Sequence, residues 1–267
     1  MSTSIFPIDQ FGRMGKIHSV FNHSFNLQLG QRLINVSGYE SPKLSSFGIS
    51  IEPVMFQELV PYLQQDNVVK VMADSLTIYS TQGVKKISWQ TVEEVSLQVS
   101  SFNLTLEQQL RLKELLEQEQ LESAIGLPVT DAITYIELLK NKELSLEDWQ
   151  ACLAYFIGRG KGLTPSGDDI LVAYLVMLKI IQPEQNKQLV QAVAFEQLST
   201  TAISKEYIYY ALQGYCHSLV YQLFSALQTN QETYCLQKQI KKIREIGHSS
   251  GTDLSFGLLL ALQAQLS

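Results

Sequence analysis

Between Gly158 and Asp169 the chain reads Gly-Arg-Gly-Lys-Gly-Leu-Thr-Pro-Ser-Gly-Asp-Asp, and an apolar run from Ile170 to Leu178 follows. Alternating glycines let a backbone turn its N–H groups to one side, and Arg159 and Lys161 add positive charge to that concavity. Thr164 fits an N-cap with Pro165 at the first helical position. Ser166 fits a cap as well, with Asp169 closing a Ser-x-x-Asp box. Either start places helix amides beside a basic glycine loop, which is a ready site for a small anion.

A second start repeats the first. Ser250-Gly-Thr-Asp253 matches Ser166-Gly-Asp-Asp169 at Ser, Gly and the final Asp, and it follows Ile246-Gly-His-Ser249. A third start lies at Thr200-Thr-Ala-Ile-Ser204. Capping explains Ser and Asp at such places, at roughly 0.5–2 kcal/mol each. It does not explain glycine, which costs roughly 0.5–1 kcal/mol against alanine inside a helix. A missing side chain there permits close approach of a ligand or of another backbone.

The chemistry that these residue types support is the handling of a small polar anion. Arg159, Gly160, Lys161, Gly162, Thr164, Ser166 and Gly167 are the first group of candidate binding residues. Thr200, Thr201, Ser249, Ser250 and Gly251 are the second. Asp168, Asp169 and Asp253 are candidate acceptors for an amide or carbamoyl NH₂, and His248 is placed to polarise a carbonyl or move a proton. The competing reading is Mg²⁺ held by the oxygens of Asp168, Asp169 and Asp253, as in a Mg-dependent hydrolase.

The run Gly162-Leu-Thr-Pro-Ser-Gly-Asp-Asp169 resembles the signature of the AllH-like family, the subunit type of oxamate carbamoyltransferase. Thr200–Ser204 and Ile246–Asp253 fit the same pattern, and Lys16–Asn22 with Ser41-Pro42 fits it more weakly, so that the resemblance covers most of the chain. Lys161 departs from the family, which usually carries proline or another uncharged residue there. The resemblance implies carbamoyl transfer between oxalurate or oxamate and phosphate or carbamoyl phosphate, in purine (allantoin) catabolism. It implies an FdrA-like partner and a second companion subunit. The remaining alternative is a non-catalytic binding or scaffold subunit of that assembly.

The elements that must position these residues fall into two halves, with fold class α+β. Residues 1–103 read as a β-rich part, a small barrel or sandwich. Short β-branched runs at 16–21, 32–36, 47–51, 68–72, 75–79 and 84–89 are punctuated by Gly30, Gly38, Pro42 and Gly48, with a helix over 53–65. Residues 104–267 read as an α-helical bundle carrying the motifs. Its helices are expected near 105–125, 130–142, 145–157, 166–181, 183–198, 201–227, 231–246 and 250–266. Ile170–Leu178 and Phe256–Leu262 are apolar nearly all round, which places both in the bundle centre.

Composition narrows the partners. With 26 acidic against 20 basic residues and a net charge of −6, a nucleic-acid-tracking surface is not expected. The three widely spaced cysteines read as reduced, buried thiols of a cytoplasmic protein. The start lacks the pattern of a signal peptide and no apolar run is long enough for a bilayer, so no membrane partner is expected. His18 and His23 read as structural, His217 as a core residue of the 201–227 helix, and Lys238, Lys241, Lys242 and Arg244 as a solvated face.

Overall fold

The computed structural model describes residues 1–39, 43–89, 92–195 and 198–266; the Ser41-Pro42 part of the weaker motif lies outside them. The chain forms two compact units, Met1–Leu97 and Gln98–Ser267.

The first unit is a seven-stranded sheet curled into a half-barrel, with strand order β4-β3-β2-β1-β5-β6-β7. The strands are β1 (Met14–Val20), β2 (Ser24–Leu29), β3 (Arg32–Ser37), β4 (Gly48–Ser50), β5 (Val68–Met72), β6 (Ser75–Ser80) and β7 (Gly83–Ser88). All neighbours pair antiparallel except β3 and β4. Period-two alternation turns Ile17, Leu27, Ile34, Val69 and Ile78 to the buried side. Helix α1 (Pro53–Leu59) brings Phe56 against Phe25, ring centroids 6.2 Å apart. Gly38 makes room for it, since a Cβ at that position would lie 2.3 Å from the Phe56 Cβ. Strand β2 was not among the expected runs, although Phe25, Leu27 and Leu29 alternate in it; Asn26, which interrupts them, bonds the Ser19 and Asn35 side chains.

The second unit contains α2 (Leu106–Gln118), α3 (Val129–Leu139), α4 (Leu146–Phe156), α5 (Ser166–Ile181), α6 (Pro183–Phe195), α7 (Ala202–Leu212), α8 (Ser218–Gln228), α9 (Thr233–Arg244) and α10 (Ser250–Leu266). Capping boxes start α2 (Thr105 with Gln108) and α4 (Ser145 with Asp148). Helices α5 and α10 are buried on all sides through most of their length. They cross at Gly257, where a Cβ would lie 2.2 Å from the Ile170 carbonyl oxygen and 2.9 Å from the Ala173 Cβ. Backbone meets backbone at that crossing, which only glycine allows.

The long helix expected over 201–227 is two helices. Gly214, at φ 86°, breaks the run after α7, and His217 starts α8 by accepting the Leu219 N–H on its Nδ1 at 3.2 Å. His217 is therefore a helix cap rather than a mid-helix core residue. Of the basic stretch on α9, Arg244 bonds Glu119 and is not simply solvated.

Candidate functional site

Helix α4 ends at Phe156, and Gly158, Gly160 and Gly162 follow with φ of 72°, 124° and 91°. The alternating glycines are thus required by the left-handed turns of this loop. The Arg159 N–H donates to the Phe156 carbonyl at 3.0 Å, and the Arg159 carbonyl accepts the Gly167 N–H at 2.8 Å. A Cβ on Gly167 would lie 2.0 Å from the Phe156 oxygen, so this glycine lets the start of α5 press on the end of α4. Neither expected cap is used. Pro165 holds the N-cap position without a side-chain bond, and its carbonyl takes the Asp168 and Asp169 N–H groups at 2.9 and 3.1 Å. The start of α5 is closed by its own loop and does not open to an anion.

The start of α10 is made the same way. The Ile246 N–H donates to the Ile243 carbonyl at 2.9 Å, and the Ile246 carbonyl accepts the Gly251 N–H at 2.9 Å. A Cβ on Gly251 would lie 2.0 Å from the Ile243 oxygen. Phe156, Arg159 and Gly167 therefore correspond to Ile243, Ile246 and Gly251.

The two starts are locked to each other. Asp169, near the start of α5, is hydrogen-bonded by the side chains of Ser250 and Thr164, whose hydroxyls are themselves 2.9 Å apart. Asp253, near the start of α10, accepts the Gly126 N–H at 2.9 Å and has the Ser166 and Ser249 hydroxyls beside it. Each aspartate thus faces the serine that opens the other helix. Burial pushes Asp169 well above the ordinary carboxylate range; Ser250 opposes the rise and the neighbouring Asp253 charge adds to it. Burial also raises Asp253, against the pull of Gly126, Ser166 and Ser249. The Oδ2 atoms of both are buried without a hydrogen-bond partner among the described residues. Gly126, at first legible only as a helix stop, belongs to this lock, because a Cβ there would lie 2.1 Å from the Ser166 Oγ.

Asp168 does something different. Its Oδ1 accepts the Gly158 N–H at 2.8 Å, while its Oδ2 accepts the hydroxyls of Thr200 and of Ser204, the latter at 2.6 Å. Both oxygens are committed to tying the glycine loop to the start of α7. The Mg²⁺ arrangement of Asp168, Asp169 and Asp253 does not fit these contacts. Among the described residues, no group of three His, Cys, Asp or Glu side chains is placed to hold a metal ion.

What Asp168 ties together are two walls of one cleft of about 650 Å³. Gly158, Gly160, Gly162 and Pro165 form one side; Ser199, Thr200, Thr201 and Lys205 form the other. Thr201 caps α7 through the Ser204 N–H at 3.0 Å and donates its hydroxyl to the Leu163 carbonyl, a second tie between the walls. The first-turn amides of α7 have no intrahelical acceptor and carry the positive end of its dipole.

The candidates named from sequence therefore separate by role. Gly160, Gly162, Thr200 and Thr201 line the cleft. Thr164, Ser166, Asp169, Ser249, Ser250 and Asp253 form the lock, in which Ser166 and the two aspartates are buried and the other three half-buried. Gly167 and Gly251 serve backbone contact. Arg159 is exposed and folds back on α4, its Nε donating to the Tyr155 carbonyl at 2.7 Å and its guanidinium 4.1 Å from the Tyr155 ring centroid. Lys161 and His248 are exposed and do not line the cleft. The cation that does is Lys205, which sequence reasoning missed although it directly follows the Thr200–Ser204 motif.

No solved structure matches the chain. No helix among the described residues is long and apolar enough to cross a membrane. Residues 156–262, from the end of α4 to the last turns of α10, match the family model of the oxamate carbamoyltransferase subunit AllH. That segment holds the glycine loop, Asp168, the start of α7 and both halves of the lock apart from Gly126, and over it the chain is similar to the AllH family.

Proposed function

We propose that this chain is a subunit of an oxamate-carbamoyltransferase-type enzyme and that its glycine-loop cleft receives a small anion of that reaction. The reaction moves a carbamoyl group between oxalurate and phosphate, giving oxamate and carbamoyl phosphate, a step of purine (allantoin) catabolism. The observation that carries the reading is the coincidence of the family match with the cleft, since all its lining residues lie within the matched segment. Every ligand of the reaction is an anion. The cleft offers a lysine, a helix start and a loop whose glycines leave the backbone uncovered, groups that stabilise charge without a covalent nucleophile.

Titration calorimetry with phosphate and with carbamoyl phosphate tests the site. Wild type should bind with an affinity that falls with salt, and Lys205→Ala should lose most of it. Equal binding by both proteins, or none by wild type, refutes the site. The second reading, a non-catalytic subunit that completes a partner's centre, is favoured by Asp168, whose two oxygens are spent inside the fold. Activity assayed with and without an FdrA-like partner and the second companion subunit separates the two. Transfer that survives Lys205→Ala in the full assembly assigns the chemistry to a partner.

A further inference from the structure

The four strands β1, β5, β6 and β7 contain no aspartate or glutamate and four lysines, in a chain where acidic residues outnumber basic ones 26 to 20. Antiparallel register fixes which side chains share the outward face. Lys16, Val68, Tyr79 and Val84 are successive cross-strand partners and form one row. Met14, Lys70, Thr77 and Lys86 form the next. Directly opposed side chains lie about 4.5–5.5 Å apart, so the two rows make one continuous surface. On it Met14 is 56% exposed, Val68 46%, Tyr79 41% and Val84 63%. Lys16 pairs with Asp66 across 2.7 Å, whereas Lys70 and Lys86 have no carboxylate partner among the described residues.

Lysines on an open sheet are a common guard against edge-to-edge aggregation. That role does not account for Val68, Tyr79, Val84 and Met14 between them, because solvated strands carry polar residues at outward positions. Clustered apolar side chains interleaved with unpaired cations are the pattern of a docking surface whose partner is apolar at its centre and acidic at its rim.

We infer that the outward face of β1-β5-β6-β7 is where this chain docks onto another subunit of its assembly, through an acidic surface of that subunit. The partner is a different chain carrying carboxylates opposite Lys70 and Lys86, with an apolar patch on Tyr79 and Val84. This inference rests on the subunit reading proposed above.

The test mixes the purified chain with its companion subunits and follows complex formation by light scattering at low and high salt. Two variants accompany wild type: Lys70→Glu with Lys86→Glu, and Tyr79→Ser with Val84→Ser. Thermal melts check that both remain folded. The expected result is a complex with wild type that weakens with salt, at least tenfold weaker binding by each variant, and unchanged phosphate binding in the cleft. A complex formed equally well by wild type and both variants overturns the docking face and leaves the subunit reading intact. Absence of any complex with wild type overturns both. Self-association of wild type that the variants abolish assigns the face to a second copy and overturns the inference. So does binding to anionic phospholipid vesicles without any subunit complex.

Discussion

Where α4 hands over to α5 the chain takes eight positions to pass from Arg159 to Gly167; where α9 hands over to α10 it takes five, from Ile246 to Gly251. Both routes end in the same bonds, a carbonyl just past the end of the preceding helix receiving the glycine N–H and a glycine pressed on that helix. The shorter route shows that the joint itself needs only five positions. The three additional residues are therefore free of that task, and the longer loop uses its freedom to wall the cleft. Aligning Gly160 with Gly247 and Ser166 with Ser250 leaves Lys161, Gly162 and Leu163 as the surplus. The comparison separates what holds the helices together from what walls the cleft.

The equivalence is broken most directly at its glycines. Gly167→Ala and Gly251→Ala each force a Cβ onto a backbone oxygen that would be 2.0 Å away, and neither helix end can yield without losing buried contacts. Each should cost about 3 kcal/mol in urea unfolding, the two alike within error. A large difference between them would show that the two joints are not equivalent.

A smaller effect, dependent on pH, sharpens the role of the lock. Asp169 is raised in the folded chain, mainly by burial, so the native state holds its proton more tightly than the unfolded state. Stability from this group is complete below the unfolded carboxylate range, near pH 4, and is lost as pH rises toward the raised value. Asp169→Asn removes the titration while keeping a polar side chain of the same shape. Melting temperature should equal or exceed wild type at pH 8, and the fall of stability from pH 4 upward should flatten. An unchanged slope would place the titration elsewhere.

The smallest stability effect is expected from trimming the long loop to the length of its twin. Deleting Lys161–Leu163 shortens an exposed loop and removes the Leu163 acceptor of Thr201, for a change within about 1 kcal/mol. Phosphate binding should disappear all the same. Retained binding would mean that the surplus residues do not shape the site.

These contrasts explain what could be read in advance. The α+β order and the central place of α5 and α10 followed from periodicity, because an all-round apolar helix has only one place to go. The family resemblance rested mainly on Gly162–Asp169, Thr200–Ser204 and Ile246–Asp253, which lie in the matched segment; the weaker Lys16–Asn22 and Ser41-Pro42 lie outside it, so the match covers less of the chain than the resemblance implied. The roles of the individual carboxylates were not legible. Asp168 and Asp169 are adjacent in sequence, yet one helix step turns the first toward Gly158 and α7 and the second toward Ser250 on α10. Gly126 and Lys205 were missed for a related reason: their partners lie far along the chain, and no local pattern records a contact with Asp253 or a place on a cleft wall. The division of 201–227 was hidden because apolar spacing continues on both sides of Gly214.

The bond from the Gly158 amide to Asp168 has a consequence for how the cleft comes apart. Asp168 is on α5, and the hydroxyls that complete its shell come from the start of α7, so opening that wall exposes the carboxylate and frees the amide together. The exchange rate of a single backbone hydrogen, that of Gly158, therefore records how often the cleft opens. It should slow when an anion bridges the walls and approach the rate of an open loop in Asp168→Ala, so one resonance reports the cleft's breathing without any label attached to the protein.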